Sequence, residues 1–435
     1  MVPPGTGSVL ADPTGLDAFD SLLASGRLPG RLEELVEDYL AVKTGRTIGD
    51  GVILDRLRRA IVAQKSGYWR EGRRREISYR AGYSVLAYLA YQFPVYYFQS
   101  CHLFGWLAKS GRLRTGMRVV DLGTGPGVIP LALITLSRCL PQFAAEIIPV
   151  EPSEEHREAC RHLVHGFSRP DDRVRVHPAL RVDAASVEVS TIPQEIDLLI
   201  LSNILNELPG DARQRADAVL RWSEHLADDG IVLLVEPADL VNSMALRDVQ
   251  RELIRSGLHL HYPCRFLWGS GCGSVPCWSF EERPMIRPTR LQEALSSGVA
   301  DGYRYRNTDI KFSAALLGRE RPARIEWTGI DRRRTIPLSR LHRHVDRRIC
   351  CVATLMSNDL GDARTHIRKI CDGTARRPVF AVLPAYHETP ENRVLLDARY
   401  GESIVLRDVL VRENPKTRAF NLLVTRLSGV RPLGA

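Results

Sequence analysis

No apolar run in this 435-residue chain approaches the roughly 20 residues that a membrane-spanning helix needs. Nor does the chain open on a charged stretch followed by a continuous apolar one, because Pro3, Pro4, Asp12 and Asp17 interrupt residues 1–24, so no secretory signal is expected. A cytoplasmic location is the resulting expectation. Nine cysteines would there be free, buried or metal-bound rather than disulfide-linked. Charge of one sign is not in large excess either: 60 Lys and Arg stand against 51 Asp and Glu, a net of +9 with a pI near 9.2. This modest basic tilt favours a polyanionic partner such as RNA without requiring one, since basic enzymes that never touch nucleic acid are common. With 44% hydrophobic and 26% charged residues the chain can bury ample core, and its length suggests roughly two to three domains.

The most specific stretch is residues 119–127, VVDLGTGPG, a short apolar run that ends on an acid and breaks into alternating glycines. The apolar run predicts a strand of a parallel sheet delivering the chain to a crevice at the sheet's carboxyl edge. Gly123, Gly125 and Gly127 free the next loop of side chains, so its backbone can take positive φ and approach a ligand closely. The segment VIPLALITLSR then has the apolar content of a helix. The spacing is G-x-G-x-G rather than the G-x-G-x-x-G of dinucleotide sites. Led by Asp121, it resembles the first motif of class I S-adenosylmethionine (SAM) methyltransferases, where the loop lies against the methionine part of the cofactor. That resemblance implies SAM as cofactor and Asp121, Gly123, Thr124, Gly125 and Gly127 as its loop; a structural strand-to-helix turn is the competing reading.

Residues 117–260 alternate short apolar runs with helical segments, as a doubly wound α/β domain does, with candidate strands at 119–121, 146–150, 174–177, 197–202 and 231–235. Glu151 follows the second strand, where a carboxylate can accept both ribose hydroxyls; an acid at a helix N-terminus is the plainer alternative. Asp183, beyond the third strand, is a candidate partner of the adenine amino group, and Ser202, closing the fourth, completes the cofactor-contacting set. Before this region, residues 1–116 read as helical, with apolar spacing of three and four in LEELVEDYLAV and ILDRLRRAIVAQ. There Arg70, Arg73, Arg74 and Arg75 cluster beside Tyr68 and Trp69, either a solvated helix end or a phosphate-contacting patch. The apolar and aromatic segment YSVLAYLAYQFPVYYFQ reads mostly as core.

Within the expected SAM-binding region of residues 117–330, a loop at 261–280 places Cys264, Cys272 and Cys277 among Gly and Pro. Three thiols on so compliant a backbone have the inventory for zinc or an iron–sulfur cluster, although C-x7-C-x4-C matches neither the usual zinc-knuckle nor the ferredoxin spacing. A fourth ligand must come from elsewhere, and unliganded cysteines are the alternative. The last hundred residues turn β-rich, with runs in ICCVATLM, THIRKICDGT, PVFAVLP, ESIVLRDVLVR and FNLLVTRLSGV. Five short, partly alternating strands suit a small closed barrel, so residues 336–430 are expected to form an OB-like domain; such folds commonly bind single-stranded nucleic acid, though a barrel used only for packing is the rival. Arg332, Arg333, Arg334, Arg343, Arg347 and Arg348 enrich its start in positive charge. The fold class expected overall is α/β: a Rossmann-like doubly wound sheet of the class I SAM-methyltransferase type, with a helical N-terminal region and an OB-like β-barrel at the C-terminus.

Five stretches, in order, resemble the family of methyltransferase-like ribosomal small-subunit assembly factors, best known from mitochondria and with bacterial and archaeal relatives. They are YQFPVYY, VVDLGTGPG, LLILSNILNELP, LLVEPAD followed by ALRDVQRELIRSGLHLHYPC, and KFSAALL, spanning roughly residues 83–313. The resemblance implies a partner in small-subunit rRNA or an assembling ribosomal particle. It also implies an iron–sulfur cluster, of 4Fe-4S type with zinc as the alternative, in which the three loop cysteines are joined by one from the β-rich region. Cys371, in ICDGT, best matches that fourth position, with Cys350 and Cys351 as rivals. This chain departs from the family's Pro-Cys-Pro-His pattern, having PCRFLW, and has CWSF where a His follows the third cysteine.

Methyl transfer from a sulfonium needs mainly the orientation of donor and acceptor, with a base where the nucleophile must lose a proton. After the fourth strand Asn203 or Asn206 can orient an amine and Glu207 can accept a proton, but the Pro-Pro-aromatic clamp of enzymes that methylate base amines is missing. Three readings follow: an RNA-directed SAM methyltransferase, a non-catalytic SAM- and RNA-binding assembly factor, and a small-molecule or peptide methyltransferase on the same scaffold.

Overall fold

The computed structural model describes residues 13–68, 83–184, 193–269, 272, 277–323, 327 and 329–433; the cluster of Arg70, Arg73, Arg74 and Arg75 lies outside them. In chain order its elements begin with helices α1 (Pro13–Ser25), α2 (Gly30–Thr44), α3 (Gly51–Tyr68), α4 (Ser84–Tyr91) and α5 (Phe93–Lys109). Then strands and helices alternate: β1 (Met117–Leu122), α6 (Val128–Cys139), β2 (Ala145–Val150), α7 (Glu154–Phe167), β3 (Val174–Val176), β4 (Ile196–Ser202), α8 (Ala212–Ser223), β5 (Leu226–Pro237) and α9 (Leu240–Arg255). They are followed by β6 (His259–Tyr262), β7 (Glu281–Arg283), α10 (Arg290–Ser296) and β8 (Ile310–Gly318). The C-terminal part holds β9 (Arg348–Leu355), β10 (Thr365–Cys371), β11 (Val379–Pro384), α11 (Val394–Asp397), β12 (Ser403–Asn414), β13 (Ala419–Leu423) and β14 (Gly429–Pro432). Two compact units result, one of Met1–Gly230 with Arg283–Lys311, the other of Ile231–Glu282 with Phe312–Ala435.

The first unit is built on four parallel strands in the order β3-β2-β1-β4. Val119 pairs with Ile147 on one side and Leu198 on the other, so β1 is hydrogen-bonded along both edges and reads as a nearly continuous buried run. The order reverses at β1, and such a switch point opens a crevice at the carboxyl ends of the strands. The helical N-terminal region forms as its spacing predicts: Leu32, Leu35, Val36, Tyr39 and Leu40 of α2 share a buried face, and the helix ends on Gly45 at φ 67°, whose N–H reaches the Ala41 carbonyl. Pro94 does not sit in the middle of a helix. It occupies the first turn of α5, where its missing N–H costs nothing, and it divides the aromatic segment into α4 and α5.

In the second unit β8 runs antiparallel to both β5 and β6, giving the order β5-β8-β6. Behind these strands α9 buries Arg247, 2% exposed, whose guanidinium donates to the Ala314 carbonyl, Gln250 Oε1, Ser279 and the Tyr400 hydroxyl. The β-rich C-terminus closes into a barrel. Taking β9 to β13 as strands one to five, the hydrogen-bonded order is 1-2-3-5-4-1, with β11 and β13 parallel and the other neighbours antiparallel. That is the OB-type topology, and it removes the sheet's open edges. The run FNLLVTRLSGV is two strands rather than one: a turn at Ser428, whose N–H meets the Thr425 carbonyl, separates β13 from β14, and β14 pairs with β12. Side chains alternate on β9, so Cys351, Ala353 and Leu355 fill the barrel core.

Candidate functional site

Three glycines with positive φ, Gly123 at 70°, Gly125 at 55° and Gly127 at 92°, carry the chain from β1 into α6. A Cβ on Gly123 would stand 2.3 Å from Ile204 Cγ2, so that position needs glycine for space as well as for conformation. The loop is pinned to the end of β2 by the amides of Gly123 and Thr124, which donate to the Val150 carbonyl at 2.8 and 3.1 Å. Glu151, 6% exposed, then spans two loops: its Oε2 accepts from Gly125 N at 3.0 Å and its Oε1 from Ser153 N at 2.8 Å. Ser153 also caps α7, accepting from His156 N, and His156 lines the same crevice.

These elements surround a cavity of about 330 Å³, lined by Gly123, Gly125, Glu151, Asp183, Ser202, Asn203 and Glu207 among the residues expected from the sequence. Volumes of this order accommodate small-molecule ligands. Asn203, at φ 60°, takes the left-handed conformation that Asn tolerates best, and its amide donates to Ser202 Oγ at 3.2 Å. Its Oδ1 is buried without a hydrogen-bond partner among the described residues. Asp121, Thr124, Gly127 and Asn206 do not line the cavity: Asp121 and Thr124 are buried beneath the loop, and Asn206 sits in the turn after β4.

The lining also includes residues that the sequence reading assigned to core or did not single out. Tyr88 from α4, Tyr96 from α5 and His156 from α7 form an aromatic wall, with Tyr88 6.0 Å from Tyr96 and 5.7 Å from His156 between ring centroids. Both tyrosines are half-buried in helices whose other residues are almost all buried, so the apolar pattern carried no sign of them.

Burial pushes the Asp121 carboxyl up to about 7, with the neighbouring charge of Glu151 adding to the shift. The folded chain therefore favours protonated Asp121. Its contribution to stability is complete below the unfolded value of about 3.9 and is lost as pH rises toward 7, at up to ~1.4 kcal/mol per pH unit. Asp121→Asn removes that dependence, so the variant's melting temperature is expected to rise relative to wild type between acidic and neutral pH. Parallel melting profiles would contradict this.

The cysteines lie in the second unit. Burial pushes the Cys264 thiol up to about 12, the Arg247 guanidinium draws it back, and the nearby Cys277 and Cys272 add to the upward shift. Cys371, on β10, is raised by burial and by Cys264 and Cys277. Cys264 thus feels Cys272 and Cys277, and Cys371 feels Cys264 and Cys277. Among the described residues no three His, Cys, Asp or Glu side chains stand close enough together to hold a metal ion as placed. Of the rivals for the fourth position, Cys351 faces the barrel interior, and the neighbouring Cys350 joins the segment at Thr335 through its backbone.

Comparison with known proteins gives two family matches. Residues 82–276 match the family described as mitochondrial small ribosomal subunit Rsm22, which bears out the resemblance read from the sequence over that stretch. Residues 339–433 match the C-terminal domain of DUF8157, a domain of unknown function. No curated protein matches the chain. Similar solved structures include the magnesium protoporphyrin IX methyltransferase of Synechocystis PCC 6803 with bound SAH, at 11% identity and TM-score 0.32, covering 52% of this chain and 84% of that one. The YcgJ protein of Bacillus subtilis shows 16% identity and a TM-score of 0.30 over 50% of this chain and 99% of its own. The glycopeptide N-methyltransferase MtfA in complex with SAM shows 14% identity and a TM-score of 0.31 over 51% and 86%.

Proposed function

We propose that the protein is a SAM-dependent methyltransferase acting on RNA, either small-subunit rRNA or an assembling ribosomal particle, and that it carries an iron–sulfur cluster on Cys264, Cys272, Cys277 and Cys371. The observation that carries the SAM assignment is the cavity at the switch point of the parallel sheet, floored by left-handed glycines and flanked by the buried Glu151 carboxylate. The orphaned Asn203 Oδ1 and the side-chain-free loop fit a polar ligand that approaches the backbone closely. The partner assignment is supported by the small-subunit ribosomal family matched over residues 82–276 and by the basic net charge of +9.

Bound in this cavity, SAM supplies a methyl group already activated for in-line displacement. The chain's own residues hold and orient. Gly123 and Gly125 leave room at the loop, Glu151 would accept from ribose hydroxyls, Asp183 would meet the adenine amino group, and Tyr88 and Tyr96 wall the crevice. Asn203, with Ser202 beside it, orients the acceptor amine, and Glu207 takes up its proton. Glu207→Gln is expected to lower turnover by about 100-fold or more while SAM affinity is kept; an unchanged rate removes Glu207 from the reaction.

Arg247 supports the cluster. It is fully buried, makes its hydrogen bonds to neutral oxygens, and has no carboxylate partner among the described residues, while Cys264 and Cys277 are the sulfur groups that stabilise its charge. A buried guanidinium so placed calls for an anion, and thiolate-ligated iron provides one. When present, the cluster supplies negative charge and a cross-link between the cysteine segment and β10. The partner is tested by crosslinking the protein in native cells and sequencing the attached RNA. Enrichment of small-subunit rRNA is expected; recovery of no RNA above background would overturn the RNA reading and favour a small-molecule acceptor.

A further inference from the structure

A second, larger cavity of about 590 Å³ opens at one pole of the C-terminal barrel. Its wall is drawn from three places: the turn of 3-10 helix Leu338–Arg343 before β9, the loop between β10 and β11, and the base of the hairpin joining β12 to β13. Arg340, Arg343, Arg376 and Arg377 line it together with His342. One acid, Glu413, is present, and it is taken by Arg377 at 2.6 Å. Arg340, Arg343 and Arg376 are exposed and have no ion pair among the described residues. The hairpin above the cavity adds Lys416 and Arg418, both exposed.

Such a concentration of unneutralised cations in one concave site raises the local positive potential and attracts an anion. Two local features say which part of an anion fits. The first amides of the 3-10 helix are already used, Leu338 N by Asp372 and Ser339 N by Thr374, so the attraction comes from the arginine side chains alone. Phe420, the aromatic ring of the wall, is buried and covered by the Arg377 guanidinium at 5.4 Å, which leaves no open face for a base to stack on. The site therefore suits phosphate rather than base. Cations continue from the cavity onto the hairpin, so several phosphates along a strand are matched better than one.

Barrels of this topology usually take nucleic acid on the face of strands two and three. Here the outer side of β10 is engaged by the chain itself: Lys369 Nζ donates to the Trp278 carbonyl at 2.5 Å, and Asn358, just past β9, exchanges hydrogen bonds with the backbone of Glu282 at 2.8 and 3.1 Å. The cation-rich pole is the alternative surface.

We infer that this polar cavity binds the phosphates of a single-stranded RNA segment without reading its bases, an inference that rests on the RNA partner proposed above. The test uses the full-length protein and fluorescent oligo(U) and oligo(A), with affinity measured by anisotropy across a salt series. Wild type should bind both sequences within about threefold of each other. The triple variant Arg340→Glu, Arg343→Glu, Arg376→Glu should lose about tenfold or more at physiological salt, and its log–log salt slope should fall by ~0.7 for each phosphate contact removed. Because all three side chains are exposed, its thermal melt should match wild type, and the corresponding triple Lys variant should restore most of the affinity. Equal affinity and slope in wild type and Glu variant would overturn the cavity assignment and leave the RNA reading standing. Failure of wild type to bind either oligonucleotide would overturn both. Binding of AMP or inorganic phosphate that the Glu variant loses, without RNA binding, would assign the cavity to a free phosphate ligand and overturn the RNA assignment.

Discussion

Gly125→Arg is expected to abolish SAM binding, with the calorimetric heat of binding lost and folding largely kept. The backbone there is left-handed at φ 55°, which costs a non-glycine residue roughly 1–2 kcal/mol. Space at the first carbon is not the obstacle, because a Cβ would meet its nearest neighbour, His156 Nδ1, at an ordinary 3.7 Å. What the arginine adds is a long cationic chain in a cavity of about 330 Å³ that Gly125 lines, beside the Glu151 carboxylate to which the Gly125 amide already donates. An ion pair with Glu151 would occupy the position assigned to the ribose. Gly125→Ala separates the two effects: it carries the strain without filling the cavity, so its SAM affinity should fall by about 30-fold at most. Unchanged SAM affinity in Gly125→Arg would sink the cofactor assignment.

The second large effect concerns the cysteines. Protein purified without oxygen is expected to be brown and to contain iron, and Cys264→Ser or Cys371→Ser should each lose most of it. Cys351→Ser is the informative control. That side chain is buried in the barrel core, so a serine there costs about 1–3 kcal/mol of stability, but the iron content should stay near wild type. Arg247→Met should lower iron content as well, since it removes the buried charge that faces Cys264 and Cys277. Stoichiometric zinc with no iron in wild-type protein would replace the cluster by a structural zinc site, and the absence of both metals would refute metal binding altogether.

How much of this was legible before the structure depended on whether the cause was local. The glycine loop was legible because positive φ at Gly123, Gly125 and Gly127 is a demand each residue meets alone. The strands β1 to β5 were legible as apolar runs, each near the positions the structure gives them. The barrel's strands showed in the same way, but their order did not, since the parallel pairing of β11 with β13 across α11 and β12 is set by tertiary closure. Tyr88, Tyr96 and His156 escaped notice because a cavity wall formed by three different helices leaves no periodic trace. The inward placement of Cys351 was, by contrast, latent in the alternation of its strand. Cys351 falls in phase with Ala353 and Leu355 toward the barrel core, whereas Cys350 and Cys371 are each only partly buried on their strands. Glu151 was found in the position expected, but with its carboxylate already bridging Gly125 and Ser153, a role in shaping the loop that spacing alone does not disclose.

The central claim, that SAM held in the first unit's cavity is used on RNA, is tested most directly by incubating the purified protein with methyl-labelled SAM and small-subunit ribosomal particles, then following the label. Label recovered in the rRNA, and lost in the Gly125→Arg variant, is the predicted result. SAM binding in calorimetry with no label reaching RNA would contradict the claim and leave a chain that holds SAM without transferring its methyl group to RNA.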